Sequence, residues 1–311
     1  MVLNMNLFFS GVGKGVIEAD ERLGSPRYRL FSCHGAYFKY AQKTGPLVST
    51  IDDQFEIMLD SGAFTAWTKG EEVTLDHLIR DYSTLIEEFG YDASKVWLIN
   101  LDKIPAEPGR DPTPQELEEA IRISDENFYK LREVFGDRII PVFHQGEGEE
   151  RLAEVTRMAK YICVSPRNDL GERHRRTWAQ ETHQKLPPGV RTHGLATTGY
   201  PMMTTMPWHS VDSATWIMIA AYGHIYFNEK LQSVSISDDQ PNRHEADKHY
   251  INIVDAQKEI LHQQMEEWGF TYDGLRSDFV ERAIWNRLMM SRLYRSIDEI
   301  TQPAQVGLFD L

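Results

Sequence analysis

The sequence has few cysteines and no long apolar segment. Its 311 residues include two cysteines, Cys33 and Cys163, too few for a disulfide framework or a four-cysteine zinc site. No apolar run approaches the roughly 18 residues that a membrane-spanning helix needs. The N-terminal residues 1–11 lack the basic and apolar regions of a secretory signal. We therefore expect a protein of the cytoplasm, with no membrane partner.

Positive charge is also scarce. The chain has 33 Lys and Arg residues against 47 Asp and Glu residues, a net charge of −14. This balance disfavours broad nonspecific binding to polyanions such as nucleic acids, but it is compatible with a localised basic groove. A hydrophobic content of 41%, with 21 glycines and 14 prolines, is typical of a globular protein and excludes disordered and fibrous classes.

Short apolar runs alternate with helix-like segments along most of the chain. Apolar residues at three- and four-residue steps between Thr74 and Gly90 predict one helix. Thr113, Pro114 and Glu116 form a capping box at the start of another, which should end at Gly136. The runs themselves predict eight strands, at residues 6–11, 28–33, 55–59, 96–101, 138–143, 161–164, 191–195 and 209–211.

This alternation predicts an α/β fold, a (β/α)8 TIM-type barrel with a C-terminal helical extension. Eight such units in residues 1–225 are close to the usual barrel size of about 250 residues, and residues 226–311 would pack on the barrel as two helices. An open doubly wound sheet is the alternative. It is less favoured because Gly11, Gly13 and Gly15 are spaced wrongly for a dinucleotide-binding fingerprint.

The last helix carries several arginines. Asp278 is its predicted N-cap, and Arg282, Arg287, Arg292 and Arg295 lie away from the apolar side. Two interpretations remain open. The helix is either a packing helix with a solvated arginine edge or a ridge that contacts phosphates.

The chemistry of a TIM-type barrel lies at the carboxyl ends of its strands. Asp60, Asp102 and Asp212 each end or follow a predicted strand. One such aspartate is most simply the N-cap of the next helix, but three together indicate a functional site. Paired carboxylates without clustered histidines or cysteines favour reaction at a glycosidic carbon, where one carboxylate attacks C1′ and the other moves a proton.

A metal-dependent hydrolase is a weaker alternative. Four histidines also lie near strand ends: His34, His144, His193 and His209. A metal site built from histidine and aspartate side chains therefore remains an alternative. The segment 244–249 has histidines five residues apart, which suits a solvated helix start better than a metal motif. We expect no metal and no other cofactor.

The motifs, in their order, resemble those of the tRNA-guanine transglycosylase superfamily over residues 55–216. Asp60, Ser61, Gly62 and Phe64 match the family's Asp-Ser-Gly-Gly-aromatic signature, with Ala63 in place of the second glycine. The family's Leu-Asp followed by a proline-containing turn corresponds to Leu101, Asp102 and Pro105. Its Gln-Gly motif corresponds to Gln145 and Gly146, and its nucleophilic aspartate corresponds to Asp212.

The resemblance implies exchange of guanine in a nucleic acid for a 7-deazaguanine base. Asp212 would form a covalent bond to C1′, and Asp60 would move the proton of the base. Asp102 would accept the N1–H and 2-amino donors of the base, while the Gln145 amide and the Gly146 N–H would donate to its O6. The other substrate-binding residues it implies are Ser61, Phe64 and Leu195 at the base, and Cys163, Val164 and Ser165 around the 7-substituent.

The departures from the family point to DNA. The tRNA enzymes carry a zinc subdomain with three cysteines and a histidine, and this chain has no cysteine after Cys163. It is therefore most like the compact phage-type enzymes that insert 7-deazaguanines, such as 7-cyano-7-deazaguanine, into DNA. Two alternatives remain: exchange on tRNA, and a non-catalytic subunit that binds nucleic acid. The sequence does not distinguish a monomer from a homodimer. The predicted backbone contacts are Arg167, Arg173, Arg175, Arg176, Arg287 and Arg292.

Overall fold

The fold is α/β: a nearly closed barrel of parallel strands that alternates with helices, followed by C-terminal helices, as in a TIM-type barrel. The structure is a computed structural model that describes residues 5–35, 38–42, 55–88, 93–107, 109–197, 199–228, 230–239 and 249–293. The barrel strands are β1 Asn6–Phe9, β2 Tyr28–Ser32, β3 Glu56–Asp60, β4 Val96–Ile99, β5 Ile139–Ile140, β6 Val142–His144, β7 Tyr161–Ser165, β8 Arg191–Gly194 and β9 Ser210–Ser213.

The fifth predicted strand, residues 138–143, is interrupted in the structure. It forms two short strands, β5 paired with β4 and β6 paired with β7, on either side of Pro141. Proline has no N–H to give to the ladder, so regular pairing breaks there. The Pro141 carbonyl still accepts the Cys163 N–H at 2.8 Å, so one continuous chain segment links the two ends of the sheet.

Helices follow most of the strands. They are α1 Lys14–Leu23, α2 Ala63–Lys69, α3 Leu75–Glu88, α4 Pro114–Phe135, α5 Glu149–Met158, α6 Glu172–Lys185, α7 Tyr200–Thr205, α8 Thr215–Ala221, α9 Asp255–Glu267, α10 Tyr272–Ser277 and α11 Phe279–Leu293. Among these described helices, none combines the length and apolar character that crossing a bilayer requires.

The predicted start of α4 is confirmed. The Thr113 hydroxyl accepts the Glu116 N–H at 3.3 Å, and Glu116 Oε2 accepts the Thr113 N–H at 2.8 Å. Pro114 takes the first helical position, and Gly136 follows the last one at φ 70°. The helix predicted from Thr74 is α3; its expected end at Gly90, like Arg295 and residues 244–248, lies outside the described residues.

The strand side chains alternate between two apolar layers. Leu59 and Leu98 face outward against Leu78 of α3 and Phe128 of α4. An inner layer fills the barrel: Phe8, Leu30, Met58, Ile99, Ile140, Val142, Tyr161 and Cys163. Full burial of one such side chain contributes about 1.5–3 kcal/mol, and the period of two fixes which residues point inward at each strand end.

The chain divides into two compact units. One contains Leu7–Ser10 and Arg27–Asp212, and the other contains residues 5–6, Gly11–Pro26 and 213–293 of the described part. In the second unit, Asp278 caps α11 as predicted, with Oδ1 2.7 Å from the Val280 nitrogen.

The sequence after residue 223 was expected to hold two helices and no strand, which is wrong. Within residues 224–228, 230–239 and 249–293, which the structure describes, it forms a short antiparallel pair, β10 His224–Tyr226 and β11 Ser233–Ser235, and three α-helices, α9, α10 and α11. The two strands were missed because three residues are too few to show an alternating apolar pattern. The number of helices was too low because residues 255–277 form two helices, α9 and α10, rather than one.

Candidate active site

The structure brings the three strand-end aspartates near one another at the carboxyl ends of the barrel strands. Asp60 lies two residues after Met58, which faces the barrel interior, so the Asp60 side chain also points inward. Asp212 likewise lies two residues after Ser210 on β9, so these two side chains are on one face of that strand. Asp102 lies just beyond β4, next to β3. Besides burial, the charges of Asp212 and Asp102 raise the pKa of Asp60, so both carboxylates lie near it.

Asp60 titrates close to neutral pH. Burial, followed by the carboxylates of Asp212 and Asp102, raises its pKa to about 7, against the lowering effect of the Ser32 hydroxyl and the Gly62 N–H. The Gly62 nitrogen lies 3.1 Å from Oδ2. A carboxyl group with such a pKa can both give and take a proton at neutral pH, which is what acid–base catalysis requires.

Gly62, in the motif with Asp60, is held in a position that no larger residue fits. Its φ is 77°, and a Cβ placed there would lie 2.3 Å from the Cβ of His34. His34 is itself fixed by Glu71, whose Oε2 lies 2.7 Å from Nε2. The glycine therefore allows the loop after β3 to pass close to the loop after β2.

The Gly62→Ala substitution should destabilise the protein by roughly 3 kcal/mol or more, through backbone strain and overpacking together. Gly70→Ala is the matched control, because Gly70 has a similar φ of 67° but open space at the Cβ position. It should lose only about 1–2 kcal/mol. Urea unfolding of both variants measures the difference, and equal losses would contradict the close approach to His34.

Asp212 is held through one oxygen. Its Oδ1 accepts the Ala196 N–H at 2.7 Å and lies 3.4 Å from Nε2 of His193. Oδ2 has no hydrogen-bond partner among the described residues, and the side chain is 13% exposed. Ala196 has a φ of 47°, an uncommon conformation for a residue other than glycine. One carboxylate oxygen is thus oriented by the protein and the other is free to react.

Asp102 pairs with His144, a contact that the sequence did not indicate. Nε2 of His144 lies 2.8 Å from Oδ2 of Asp102, and the Asp102 side chain is 8% exposed. Burial opposes protonation of His144, but the hydrogen bond and charge of Asp102 and the charge of Glu147 outweigh it, so its pKa is raised. The loop that carries Asp102 is anchored by Ser124, whose hydroxyl accepts the Lys103 N–H at 2.8 Å.

Gln145 and Gly146 present hydrogen-bond donors. The backbone N–H of Arg167 donates to Oε1 of Gln145 at 3.1 Å. This contact assigns the side-chain oxygen and leaves the amide NH₂ as a donor. Gly146 is exposed, with φ 115°, and its N–H has no acceptor within the part of the chain that the structure describes.

The other predicted substrate residues have different environments. Phe64 is 49% exposed beside Trp67, so it is not a core aromatic residue. Leu195 and Ser165 are half-buried at the ends of β8 and β7. Ser61 is buried, and its Oγ lies 3.4 Å from the Ala63 nitrogen. Cys163 is fully buried in the inner layer, and burial, followed by the charge of Asp102, raises the pKa of its thiol well above the usual value.

The strand-end histidines do not gather around one point. Within the described residues, no group of three or more His, Cys, Asp or Glu side chains has an arrangement that could hold a metal ion. His34 contacts Glu71, His144 contacts Asp102 and His193 contacts Asp212. His209 packs edge-on against Tyr161, and burial lowers its pKa to about 4.

No protein-family model and no curated protein matches the chain. Any assignment of a reaction therefore depends on the geometry of these strand ends and on the motifs that they carry.

The predicted basic patch after β7 is partly neutralised. Arg167 lies 2.5 Å from Asp111 and 2.6 Å from Asp169, and Arg176 lies 3.5 Å from Glu172. Arg173 is exposed and has no acidic partner among the described residues. Arg175 is half-buried, and burial lowers the pKa of its guanidinium.

Arg287 does not fit the predicted phosphate contact. It is 3% exposed, and its Nη1 lies 2.5 Å from Oδ1 of Asp20 in α1, while its Nη2 donates to the Gly24 carbonyl. Arg282 is also buried, with Nε donating to the Ala220 carbonyl at 3.0 Å. The arginine side of α11 is thus neither a solvated edge nor a ridge for phosphates at these two positions. Arg292 is 34% exposed, over the ring of Trp268.

We expect Arg287→Met to lower the free energy of unfolding by about 3–5 kcal/mol, since it removes the buried guanidinium that pairs with the Asp20 carboxylate. Arg292→Met removes a partly exposed pair with Glu267 and should cost about 1 kcal/mol or less. Denaturant unfolding of both variants tests this. If Arg287→Met is as stable as the wild type but binds nucleic acid less well, the phosphate-contact hypothesis regains support.

Proposed function

We propose that this protein is a base-exchanging transglycosylase that replaces guanine in DNA with a 7-deazaguanine. The observation that carries the proposal is the pair of carboxyl groups at the strand ends of one barrel, close enough for the charge of one to act on the other. Burial, with a further contribution from the charge of Asp212, raises the pKa of Asp60 to about 7, and Asp212 has one oriented and one free oxygen. This is the combination that proton transfer and nucleophilic attack at a sugar carbon require.

The reaction takes place in two displacements. Oδ2 of Asp212 forms a bond to C1′ while the bond from C1′ to guanine breaks, and neutral Asp60 gives its proton to the departing base. Ionised Asp60 then takes a proton from the incoming 7-deazaguanine, which attacks C1′ and releases the Asp212 carboxylate. Two inversions retain the anomeric configuration, and Asp60 regains its proton without ATP.

The cavity has matching partners for a guanine-like base. The base offers N1–H and 2-amino donors, for which the oxygens of Asp102 are acceptors. The Gln145 amide, held by Arg167, and the unpaired Gly146 N–H can donate to O6. Phe64, exposed after β3, can stack on the base and contribute about 1–3 kcal/mol.

A base in a duplex must leave the stack to reach this cavity, so the proposal includes base flipping or a single-stranded site. DNA is preferred over tRNA because the chain lacks the cysteines of the zinc subdomain that the tRNA enzymes use.

A paired exchange assay tests the proposal. Duplex DNA, single-stranded DNA and tRNA that contain labelled guanine are incubated with the protein and 7-cyano-7-deazaguanine or related bases. Release of labelled guanine from DNA, with entry of the 7-deazaguanine, is the expected result. Exchange on tRNA alone would assign the same chemistry to RNA, and binding without exchange would overturn the enzymatic proposal.

The basic patch should give a salt-dependent contribution to DNA binding. Arg173→Ala should reduce the slope of log K against log salt concentration by about 0.9, the value for one phosphate contact. Arg122→Ala is the matched control, because Arg122 is exposed on α4 but paired with Glu119 and Glu126. Fluorescence anisotropy over a salt series measures both slopes. The patch does not contact DNA if Arg173→Ala leaves the slope unchanged.

A further inference from the structure

A chain of buried polar groups leads from the barrel interior to Asp212. The Tyr161 hydroxyl lies 2.5 Å from Oγ of Ser210, and Oγ lies 2.6 Å from Nδ1 of His193. Nε2 of His193 then lies 3.4 Å from Oδ1 of Asp212. Ser210 and His193 are fully buried and Tyr161 is 4% exposed, so water does not compete for these contacts.

The chain has one favourable direction for its protons. Burial raises the pKa of Tyr161, so the phenol keeps its proton at neutral pH and donates to Ser210. Ser210 can then donate its own proton to Nδ1 of His193, which places the ring proton on Nε2, opposite Asp212. The reverse order would place the lone pair of Nε2 against the carboxylate, which is repulsive.

We infer that His193 is a positioning residue for Asp212. The inference rests on the proposed nucleophilic role of Asp212. The Ala196 N–H donates to Oδ1, and the buried Nε2 of His193, which makes no hydrogen bond with any described residue, lies 3.4 Å from the same oxygen, so Oδ2 is the oxygen that faces the sugar. Phe8 packs edge-on at 5.8 Å from the His193 ring and fixes its plane.

The same contact acts in the second displacement. When the incoming base attacks C1′, the Asp212–sugar bond breaks and its electron pair returns to the carboxylate. A donor that already lies beside Oδ1 stabilises this returning charge with little reorganisation. At 3.4 Å the contact is longer than a normal hydrogen bond, and catalytic hydrogen bonds often shorten only when substrate is bound.

Two substitutions of His193 separate orientation from packing. His193→Phe keeps a ring but removes the donor, and His193→Gln keeps an N–H close to the position of Nε2. His193→Phe should slow formation of the covalent sugar adduct about 100-fold in single turnovers, with KM for the incoming base unchanged. His193→Gln should recover at least about tenfold of that loss, and Ser210→Ala should fall between the two.

His183→Phe is the matched control. Nε2 of His183 lies 3.1 Å from the hydroxyl of Thr192, which precedes His193 on β8, but His183 makes no contact with Asp212 among the described residues. It should react at the wild-type rate. A wild-type rate for His193→Phe, or equal rates for His193→Phe and His193→Gln, would overturn the inference.

Nitrogen NMR of ¹⁵N-histidine-labelled protein tests the same inference without any substrate. We expect the His193 ring, assigned by the signal that His193→Gln removes, to carry a proton on Nε2, and its shifts to change in Asp212→Asn and Ser210→Ala but not in His183→Phe. A proton on Nδ1 alone, or no response to Asp212→Asn, would overturn the inference whether or not exchange occurs. If the tautomer is as expected but the wild type exchanges no base, the proposed function fails and the positioning of Asp212 stands.

Discussion

Asp212→Asn should reduce base exchange at least about 10⁴-fold, toward the roughly 10⁶-fold loss that follows when a serine protease loses its nucleophile. An amide oxygen attacks C1′ poorly, whereas its shape and its ability to accept the Ala196 N–H are kept. The variant should therefore fold normally and bind DNA as the wild type does. Guanine release and covalent adduct formation, each measured in single turnovers, separate loss of chemistry from loss of binding.

The covalent intermediate makes this prediction sharper. The wild-type protein, quenched with acid during exchange, should carry a sugar adduct on the peptide that contains Asp212, and the Asp212→Asn variant should carry none. Asp137→Asn is a suitable control, since Asp137 is an 86% exposed aspartate paired only with Arg132. An adduct on another residue, or exchange by Asp212→Asn at more than a tenth of the wild-type rate, would refute the assignment of the nucleophile.

Much of the barrel follows from local sequence. The alternation of apolar runs with amphipathic segments predicts the strand and helix order, and the capping box at Thr113 places the start of α4 correctly. The break at Pro141 was not anticipated, although a proline within a predicted strand is a local signal for it. The pair β10 and β11 has no such signal, because its strands have only three residues each.

The site was predictable in part, for a geometric reason. Parallel strands bring their carboxyl ends together, so the positions of Asp60, Asp102 and Asp212 along the sequence already indicate a shared cavity. The partners of these aspartates were missed, because they are set by neighbouring strands and not by sequence distance. His144 and His193 were considered only as metal ligands, but each faces an aspartate.

The arginines show the limit of helical periodicity. A helical pattern places Arg282 and Arg287 about 140° apart around the axis of α11, but does not tell what packs against either of them. The answer comes from α1, far away in sequence, whose Asp20 lies against Arg287. Charge on one side of a helix therefore predicts a binding ridge only where no other element covers it.

Asp60→Asn should abolish exchange and, at the same time, make the folded protein more stable above neutral pH. The loss of activity follows because asparagine can neither give a proton to the departing guanine nor take one from the incoming base. The gain in stability follows from the cost of holding an ionised Asp60 beside Asp212 and Asp102 in a buried cavity. Active sites commonly carry this kind of conflict between function and stability.

The pH dependence gives the sign of the effect. The ordinary pKa of an aspartate carboxyl group is 3.8 and that of Asp60 in the folded protein is about 7, so the folded protein holds this proton more tightly than the unfolded chain does. The free energy of unfolding of the wild type should therefore fall as pH rises from about 4 to 7 and stay level above that, by up to about 4 kcal/mol from this group. Asparagine has no proton to lose, so the variant should match the wild type near pH 4 and exceed it most above pH 7. Urea unfolding of both proteins at pH 4.5 and pH 8.5 measures this. An advantage of the variant that is equal at both pH values, or that shrinks at the higher one, would show that Asp60 is not the strained carboxyl group.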